Sequence, residues 1–160
     1  MSYRVGLGYD VHPFEDSSRL VLGGVEIPND KGLKGHSDAD VLLHAIIDAI
    51  LGAAALGDIG THFPDTDPLF KGADSADLLS HTLSLSTKAG FEVINIDATV
   101  VAEVPKLNPF IMTIREKIAE LLKCDTGVIS VKATTSEKMG FVGREEGVAV
   151  HAIVLLKKQS

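Results

Sequence analysis

The sequence predicts an α/β (α+β) fold, a single domain over residues 1–160 with a mixed β-sheet, helices packed on one face and a ferredoxin-like βαβ element. Three observations lead there. Runs of period two alternate with stripes of period 3.6 along the chain. The segment from Phe91 to Ala133 reads strand, helix, strand, which a right-handed crossover joins as a parallel pair under a covering helix. Finally, the chain has 160 residues, 45% of them hydrophobic. A chain of that length buries roughly 70% of its unfolded surface and sustains one core without cross-links, in keeping with a single cysteine, Cys124, which closes no internal bridge.

The elements follow in order. Val5, Leu7 and Tyr9 alternate with Arg4, Gly6 and Gly8, so a strand is expected that runs out at Asp10. Its glycines mark a face that something approaches closely. Leu20–Leu22 and Val25–Ile27 flank Gly23-Gly24 as a short hairpin, and 29–36 reads as a loop. Ser37 or Asp38 is the expected cap of a helix whose apolar residues run from Val41 to Leu56, with Gly57 as its stop. Residues 58–72, rich in Gly, Pro and Asp, read as a long loop of the kind that forms lids. A second helix starts at Asp74 or Ser75 and ends at Gly90. A strand from Phe91 to Glu103 buries Ile94, Ile96, Ala98, Val100 and Ala102 on one face. Asn108-Pro109 reads as a cap and first-turn proline for a third helix up to Lys123. Val128–Ala133 and Val148–Leu156 are strands, the last apolar on both faces and therefore expected at the sheet centre, returning antiparallel.

Charge narrows the function. Acidic residues number 22 against 15 basic, a formal net charge of −7, which opposes a nucleic-acid-binding face. The longest stretches free of Asp, Glu, Lys and Arg are ten residues, short of the roughly 18 apolar residues of a bilayer span. No membrane partner and a cytoplasmic location are therefore expected, or a plastid-type compartment if a transit peptide has been removed. One segment departs from the average. Between Lys34 and Lys71 there is no Lys, Arg or Glu, yet Asp38, Asp40, Asp48, Asp58, Asp65 and Asp67 occur with His36, His44 and His62. An exposed helix would carry Lys and Glu, so this stretch is expected to lie under other parts of the protein with its short polar side chains gathered at a site.

Asp10 and His12 stand two apart on a strand, hence on one face. His44 supplies a third ligand from the first helix, with Asp40 four residues before and Asp48 four after as one polar stripe whose carboxylates would orient its ring. Asp, His, His is a catalytic zinc set with an open fourth position; a solvated polar stripe is the bland alternative. Thr134-Thr135-Ser136-Glu137 follows a strand and carries three hydroxyls and a carboxylate for phosphate oxygens and a hard cation such as Mg²⁺, or else forms a capped turn. Lys106, within Pro105–Pro109, sits at a strand-to-helix turn, either an anion site or an ordinary connection. Gly6-Leu7-Gly8 is no dinucleotide fingerprint, since Val11 occupies the place of the third glycine.

Several longer motifs occur together: Gly8-Tyr9-Asp10-Val11-His12, Gly35-His36-Ser37-Asp38-Ala39-Asp40, the run from Gly52 to Gly60, Phe63-Pro64-Asp65-Thr66-Asp67-Pro68, and Lys132-Ala133-Thr134-Thr135-Ser136-Glu137-Lys138. Through them the chain resembles, over essentially its whole length, the 2-C-methyl-D-erythritol 2,4-cyclodiphosphate synthase family of the non-mevalonate isoprenoid pathway. The resemblance implies cyclisation of 4-diphosphocytidyl-2-C-methyl-D-erythritol 2-phosphate, whose own 2-phosphate attacks the β-phosphorus and releases CMP. It implies Zn²⁺ on Asp10, His12 and His44, Mg²⁺ (or Mn²⁺) on Glu137, and phosphate alignment by His36 and Thr135. Ser37, Asp58, Gly60, Phe63, Asp65 and Asp67 match the part that holds substrate, and Ala102, Lys106, Leu107, Asn108, Ala133 and Thr134 the cytidine pocket. A homotrimer with active sites between subunits is implied, and Phe141, Arg144 and Glu146 match positions near a central cavity that takes isoprenoid diphosphates. Ser136, Glu145 and Leu107 depart from the family's usual pattern, and none of them touches a metal ligand. The residues alone leave two other classes open, a zinc-dependent phosphoesterase using water and a noncatalytic nucleotide- or isoprenoid-diphosphate-binding module.

Overall fold

The computed structural model describes residues 2–159; Met1 and Ser160, the ends of the expected 1–160 domain, lie outside the described residues. A five-stranded mixed sheet carries the fold. Its strands are β1 (Ser2–Asp16), β4 (Lys31–Leu33), β5 (Phe91–Val101), β6 (Ile129–Thr134) and β7 (Gly147–Lys158), in the order β4-β1-β7-β5-β6. The last strand is central, as its apolar run predicts, and lies antiparallel to both β1 and β5, while β5 and β6 run parallel. A separate hairpin, β2 (Leu20–Leu22) and β3 (Val25–Ile27), turns through Gly23 and Gly24.

All three long helices, α1 (Val41–Ala54), α3 (Ser75–Lys88) and α4 (Ile111–Leu122), cover one face of the sheet. Against them the sheet presents Val148, Val150, Ala152, Val154 and Leu156 of β7 and Ile96, Ala98 and Val100 of β5. Helix α1 lies across β1 and β7 and is itself covered by α3, so nearly all of its length is buried, in agreement with its lack of Lys and Glu. The β1 glycines let it in. A Cβ on Gly6 would stand 1.9 Å from the Ala49 carbonyl oxygen, and one on Gly8 would stand 1.8 Å from that of Ala45. The opposite sheet face is bare and apolar, with Tyr3, Val5, Leu7, Tyr9, Val11 and Ile153 all exposed.

Several boundaries differ from the sequence reading. β1 does not run out at Asp10 but continues to Asp16, because β7 pairs with it as far as Pro13 and β4 pairs with Phe14–Asp16; the expected loop 29–36 therefore contains a strand. Asp40, rather than Ser37 or Asp38, caps α1, and the helix ends on Ala55 in the left-handed region (φ 58), two residues before Gly57. Ile94 lies at a bulge in β5, where the register shifts between Val93 and Asn95, so it drops out of the alternation. Asn108 caps nothing: a 3₁₀ turn, Asn108–Phe110, winds directly into α4 with no side-chain cap. The long loop 58–72 contains the short helix α2 (Ile59–His62) and a 3₁₀ turn, Pro68–Phe70. The loop after β6 contains α5 (Gly140–Gly143).

Candidate functional site: a carboxylate and two imidazoles beside a lid

On β1, Gly6, Gly8, Asp10 and His12 alternate onto the helix-covered face. The glycines draw α1 against the strand, and His44, the residue before Ala45, descends onto Asp10 and His12. Asp10 Oδ2 lies 3.0 Å from His12 Nε2 and 3.1 Å from His44 Nδ1, and the two imidazole nitrogens are 3.3 Å apart. The three ligand atoms all fall within 4.8 Å of one another. The outer nitrogens are occupied elsewhere. His12 Nδ1 is 2.7 Å from the Lys34 carbonyl, which can only accept, so this nitrogen carries a proton and Nε2 is the nitrogen that faces Asp10 and would give up its own proton to bind a cation. His44 Nε2 is 2.8 Å from Ser75 Oγ and 3.1 Å from Ser37 Oγ.

Electrostatics agree with a cation site. Burial alone would raise the Asp10 pKa, but hydrogen bonds and charge from His12 and His44 outweigh it and bring the carboxyl down to about 2. Burial likewise works against a charged His12, and the Asp10 partner overcomes it, lifting the imidazole above its ordinary value. One carboxylate oxygen and two imidazole nitrogens of this spacing are the donor chemistry of a divalent transition metal, zinc in particular. The donor set therefore fits the expected Zn²⁺.

The polar stripe on α1 has a different use from the one expected. Asp40 does not touch the His44 ring: it is fully buried and accepts N–H bonds from Leu43 (3.0 Å), Gly23 (2.9 Å) and Gly24 (2.7 Å), capping α1 and fastening the hairpin to it. Burial pushes its carboxyl up to about 6 against the pull of those three donors. Asp48 accepts from Ile59 N at 2.7 Å, fixing the start of α2. Ser75 and Asp38, which the helical spacing could not indicate because they lie on another element and in a loop, stand where orienting carboxylates were expected.

The triad opens into a cavity of about 400 Å³ that brings together His36, Ser37, Gly60, Phe63 and Asp65 from the predicted set, with Ile59, Pro64, Phe70 and Leu78 besides. Phe63 meets Phe70 and His81 edge-on, each at 5.5 Å between ring centres. Asp58 and Asp67 do not line this cavity; they cap, Asp58 taking Thr61 N and Oγ1 at 2.8 and 2.7 Å and Asp67 taking Leu69 N at 2.9 Å.

A second cavity, about 410 Å³, gathers Ala102, Lys106, Leu107, Asn108, Ala133, Thr134 and Thr135 between the ends of β5 and β6. Its walls are tied by Ala102 N donating to the Thr134 carbonyl at 2.9 Å. Glu103, which also lines this cavity, organises the following loop: its Oε1 accepts from Ser136 N, Ser136 Oγ and Lys138 N at 3.0, 3.3 and 3.2 Å. Glu137 stands on that loop in the left-handed region (φ 53), its N–H donating to Thr135 Oγ1 at 3.2 Å. Thus within one chain His36 and the triad line one cavity while Thr135 lines the other. Phe141 borders a third, shallow hollow of about 210 Å³ with Tyr9 and His151 on the bare sheet face. Beside it Arg144 Nε donates to Glu146 at 2.8 Å.

Comparison with known proteins gives the relatives of the chain. The model of the YgbB family matches residues 3–157. Named 2-C-methyl-D-erythritol 2,4-cyclodiphosphate synthase, the protein of Pseudomonas putida is 60% identical over 96% of this chain and 98% of its own length. The protein of that name from Chlorobium phaeovibrioides is 56% identical over 97% and 99%. Among solved structures, the bifunctional IspDF of Campylobacter jejuni superposes with a TM-score of 0.95 at 50% identity, over 98% of this chain and 42% of that longer one. IspF of Plasmodium falciparum in its CDP complex gives 0.87 at 36%, over 99% and 98%.

Proposed function

Since the chain belongs to the YgbB family, that of the 2-C-methyl-D-erythritol 2,4-cyclodiphosphate synthases, we propose that its own residues cyclise 4-diphosphocytidyl-2-C-methyl-D-erythritol 2-phosphate and release CMP, as the non-mevalonate route to isoprenoids requires. The observation that carries this reading is the convergence of Asp10, His12 and His44 at the head of a cavity bounded by the segment 59–70. These three residues would hold Zn²⁺, and Glu137 would hold Mg²⁺ or Mn²⁺. When bound, the two ions would supply Lewis-acid charge that offsets the negative charge of the phosphates.

The chain's residues do the rest. His36 and Ser37 bind phosphate oxygens beside the triad, and Gly60, Phe63 and Asp65 close over the methylerythritol and exclude water. The cavity of Lys106, Leu107, Asn108 and Thr134 takes cytidine; that the Plasmodium relative was solved with CDP supports a cytidine nucleotide as ligand. Thr135 aligns the diphosphate. An oxygen of the 2-phosphate then forms a bond to the β-phosphorus as the bond to the CMP oxygen breaks. Orientation contributes a large part of such an intramolecular step, since well-placed groups reach effective molarities on the order of 10⁵ M or more.

The division of the site between two cavities supports a homotrimer in which one subunit's triad meets the next subunit's Thr135 and Glu137. The apolar side chains exposed side by side on β1 and β7 support it too, since contiguous exposed apolar patches mark interaction surfaces. Phe141, Arg144 and Glu146 would then border an axial cavity able to take an isoprenoid diphosphate. No helix among the described residues is long and apolar enough to cross a membrane, and the bacterial sources of the relatives support a cytoplasmic location.

Phosphorus NMR of the purified protein with the cytidylyl substrate tests the reaction. Two coupled signals of a cyclic diphosphate are expected alongside CMP. An open-chain bisphosphate carrying oxygen from labelled water would overturn the reading in favour of a hydrolase.

A further inference from the structure

We infer that Asp38 and Ser75 act as a positioning relay that holds the His44 ring proton on Nε2, leaving the Nδ1 lone pair aimed at Asp10 and His12. For His12 the matter is settled by a backbone carbonyl, which accepts and cannot donate. His44 has no such partner at Nε2, and at Nδ1 it faces the Asp10 carboxylate at 3.1 Å, an acceptor that draws the ring proton inward unless the outer partners hold it. Its Nε2 faces two hydroxyls, Ser75 Oγ at 2.8 Å and Ser37 Oγ at 3.1 Å, and a hydroxyl can either give or take a hydrogen. Neither serine by itself decides where the imidazole proton lies.

Asp38 decides it. One carboxylate oxygen accepts the Ser75 Oγ–H and the other accepts the Ser75 amide N–H at 3.0 Å, so the serine is gripped at two points. A serine hydroxyl has a single proton. Once it is committed to Asp38, the Ser75 oxygen can only accept from His44, so the outer partners favour the hydrogen on Nε2 against the pull of Asp10 on Nδ1. Ser75 is fully buried, so no bulk water competes for its hydrogen bonds. Ser37 Oγ already accepts the Ala39 N–H at 3.2 Å and takes Nε2–H through its remaining lone pair. Its own proton is thereby left for the cavity that it lines. The two histidines thus present inward lone pairs by different means, one through a carbonyl and one through a serine held by an aspartate that begins the approach to α1.

The test rests on the reading of the triad as a metal site but separates the two. Metal-free protein labelled with ¹⁵N-histidine is examined by long-range ¹H–¹⁵N correlation above the imidazole titration range, with His44→Gln to assign the signal. The relay requires the Nε2–H pattern for His44; an Nδ1–H pattern in the unaltered protein overturns it. This measurement reads the unaltered protein, and the variant serves only to assign its signal. In Ser75→Ala, competition with a chelator should show zinc binding weakened about 10–100-fold, the usual effect of losing an outer-shell partner, and the His44 signal should shift toward mixed tautomers. Ser75→Thr, which keeps the hydroxyl, should recover both. A folded Ser75→Ala protein with unchanged tautomer and zinc affinity overturns the relay. An Nε2–H His44 in a protein that takes up no zinc supports the relay and overturns the metal reading.

Discussion

Replacing Gly8 by Ala is the smallest change that should separate α1 from the sheet and, with it, dismantle the triad. The added Cβ would lie 1.8 Å from the Ala45 carbonyl oxygen and 2.8 Å from the Ala49 nitrogen, both backbone atoms that no rotamer change can move aside. Even the tightest Cβ contact needs 3.0 Å, so the helix must retreat by at least 3.0 minus 1.8, or 1.2 Å. His44 is the residue before Ala45 and travels with it, whereas Asp10 and His12 stay on β1. Zinc sites tolerate only about 0.2 Å in ligand distance, so a retreat of this size opens the site. Overpacking a core costs about 1–3 kcal/mol; with backbone as the obstacle the upper end applies, and about 3 kcal/mol lowers Tm by roughly 6–12 °C in a chain of this size. Calorimetry on metal-free protein and zinc titration should therefore both report the loss, with Gly6→Ala behaving alike. Gly52→Ala is the internal control. It lies on the same helix with nothing within 4 Å of its would-be Cβ, so it should stabilise by about 0.5–1 kcal/mol through helix propensity. A Gly8→Ala protein with unchanged Tm and zinc affinity would refute the close-approach reasoning.

Other expectations are shorter to state. His44→Ala should leave the purified protein with well under one equivalent of zinc by elemental analysis, while full occupancy would remove His44 from the site. Asp40→Ala strips three buried N–H groups of their acceptor and should cost about 3 kcal/mol or more in chemical denaturation. The folded chain holds the Asp40 proton up to about pH 6, whereas the unfolded chain releases it near 3.8. The folded state therefore binds more protons across that window, and this contribution to stability falls as pH rises through it; Asp40→Asn should remove it from a denaturation series between pH 4 and about 6. Finally, a protein lacking Asp10 and one lacking Thr135, each inactive, should regain part of the activity when unfolded together and refolded, because some sites in mixed trimers join an intact triad to an intact Thr135. No recovery in verified mixed oligomers would place the whole site within one chain.

The element types, the parallel β5–β6 pair, the central β7 and the spacing of Asp10 and His12 are all legible in the sequence, because each follows from local periodicity and the period-two geometry of a strand. So is the glycine face of β1. The boundaries less so: Asp10 looks like a strand end because polar residues usually stand at strand ends, yet β1 continues, since long-range pairing with β7 and β4 satisfies its backbone. Asn108 looks like a cap because its local chemistry permits it, but a 3₁₀ turn already provides the winding that a cap would initiate. Asp40 and Asp48 share a helical face with His44, and spacing along one helix cannot tell a carboxylate that orients a ring from one whose acceptors are taken by the amides of a hairpin or of α2. Ser75 and Asp38 reach His44 only because α3 folds back over α1, and Glu103 reaches Ser136 only because β5 and β6 end side by side. Sequence determined which residues could bind, since ligand chemistry belongs to the side chain. Tertiary structure decided which of them meet, since hydrogen-bond partners more than thirty residues apart are chosen by packing.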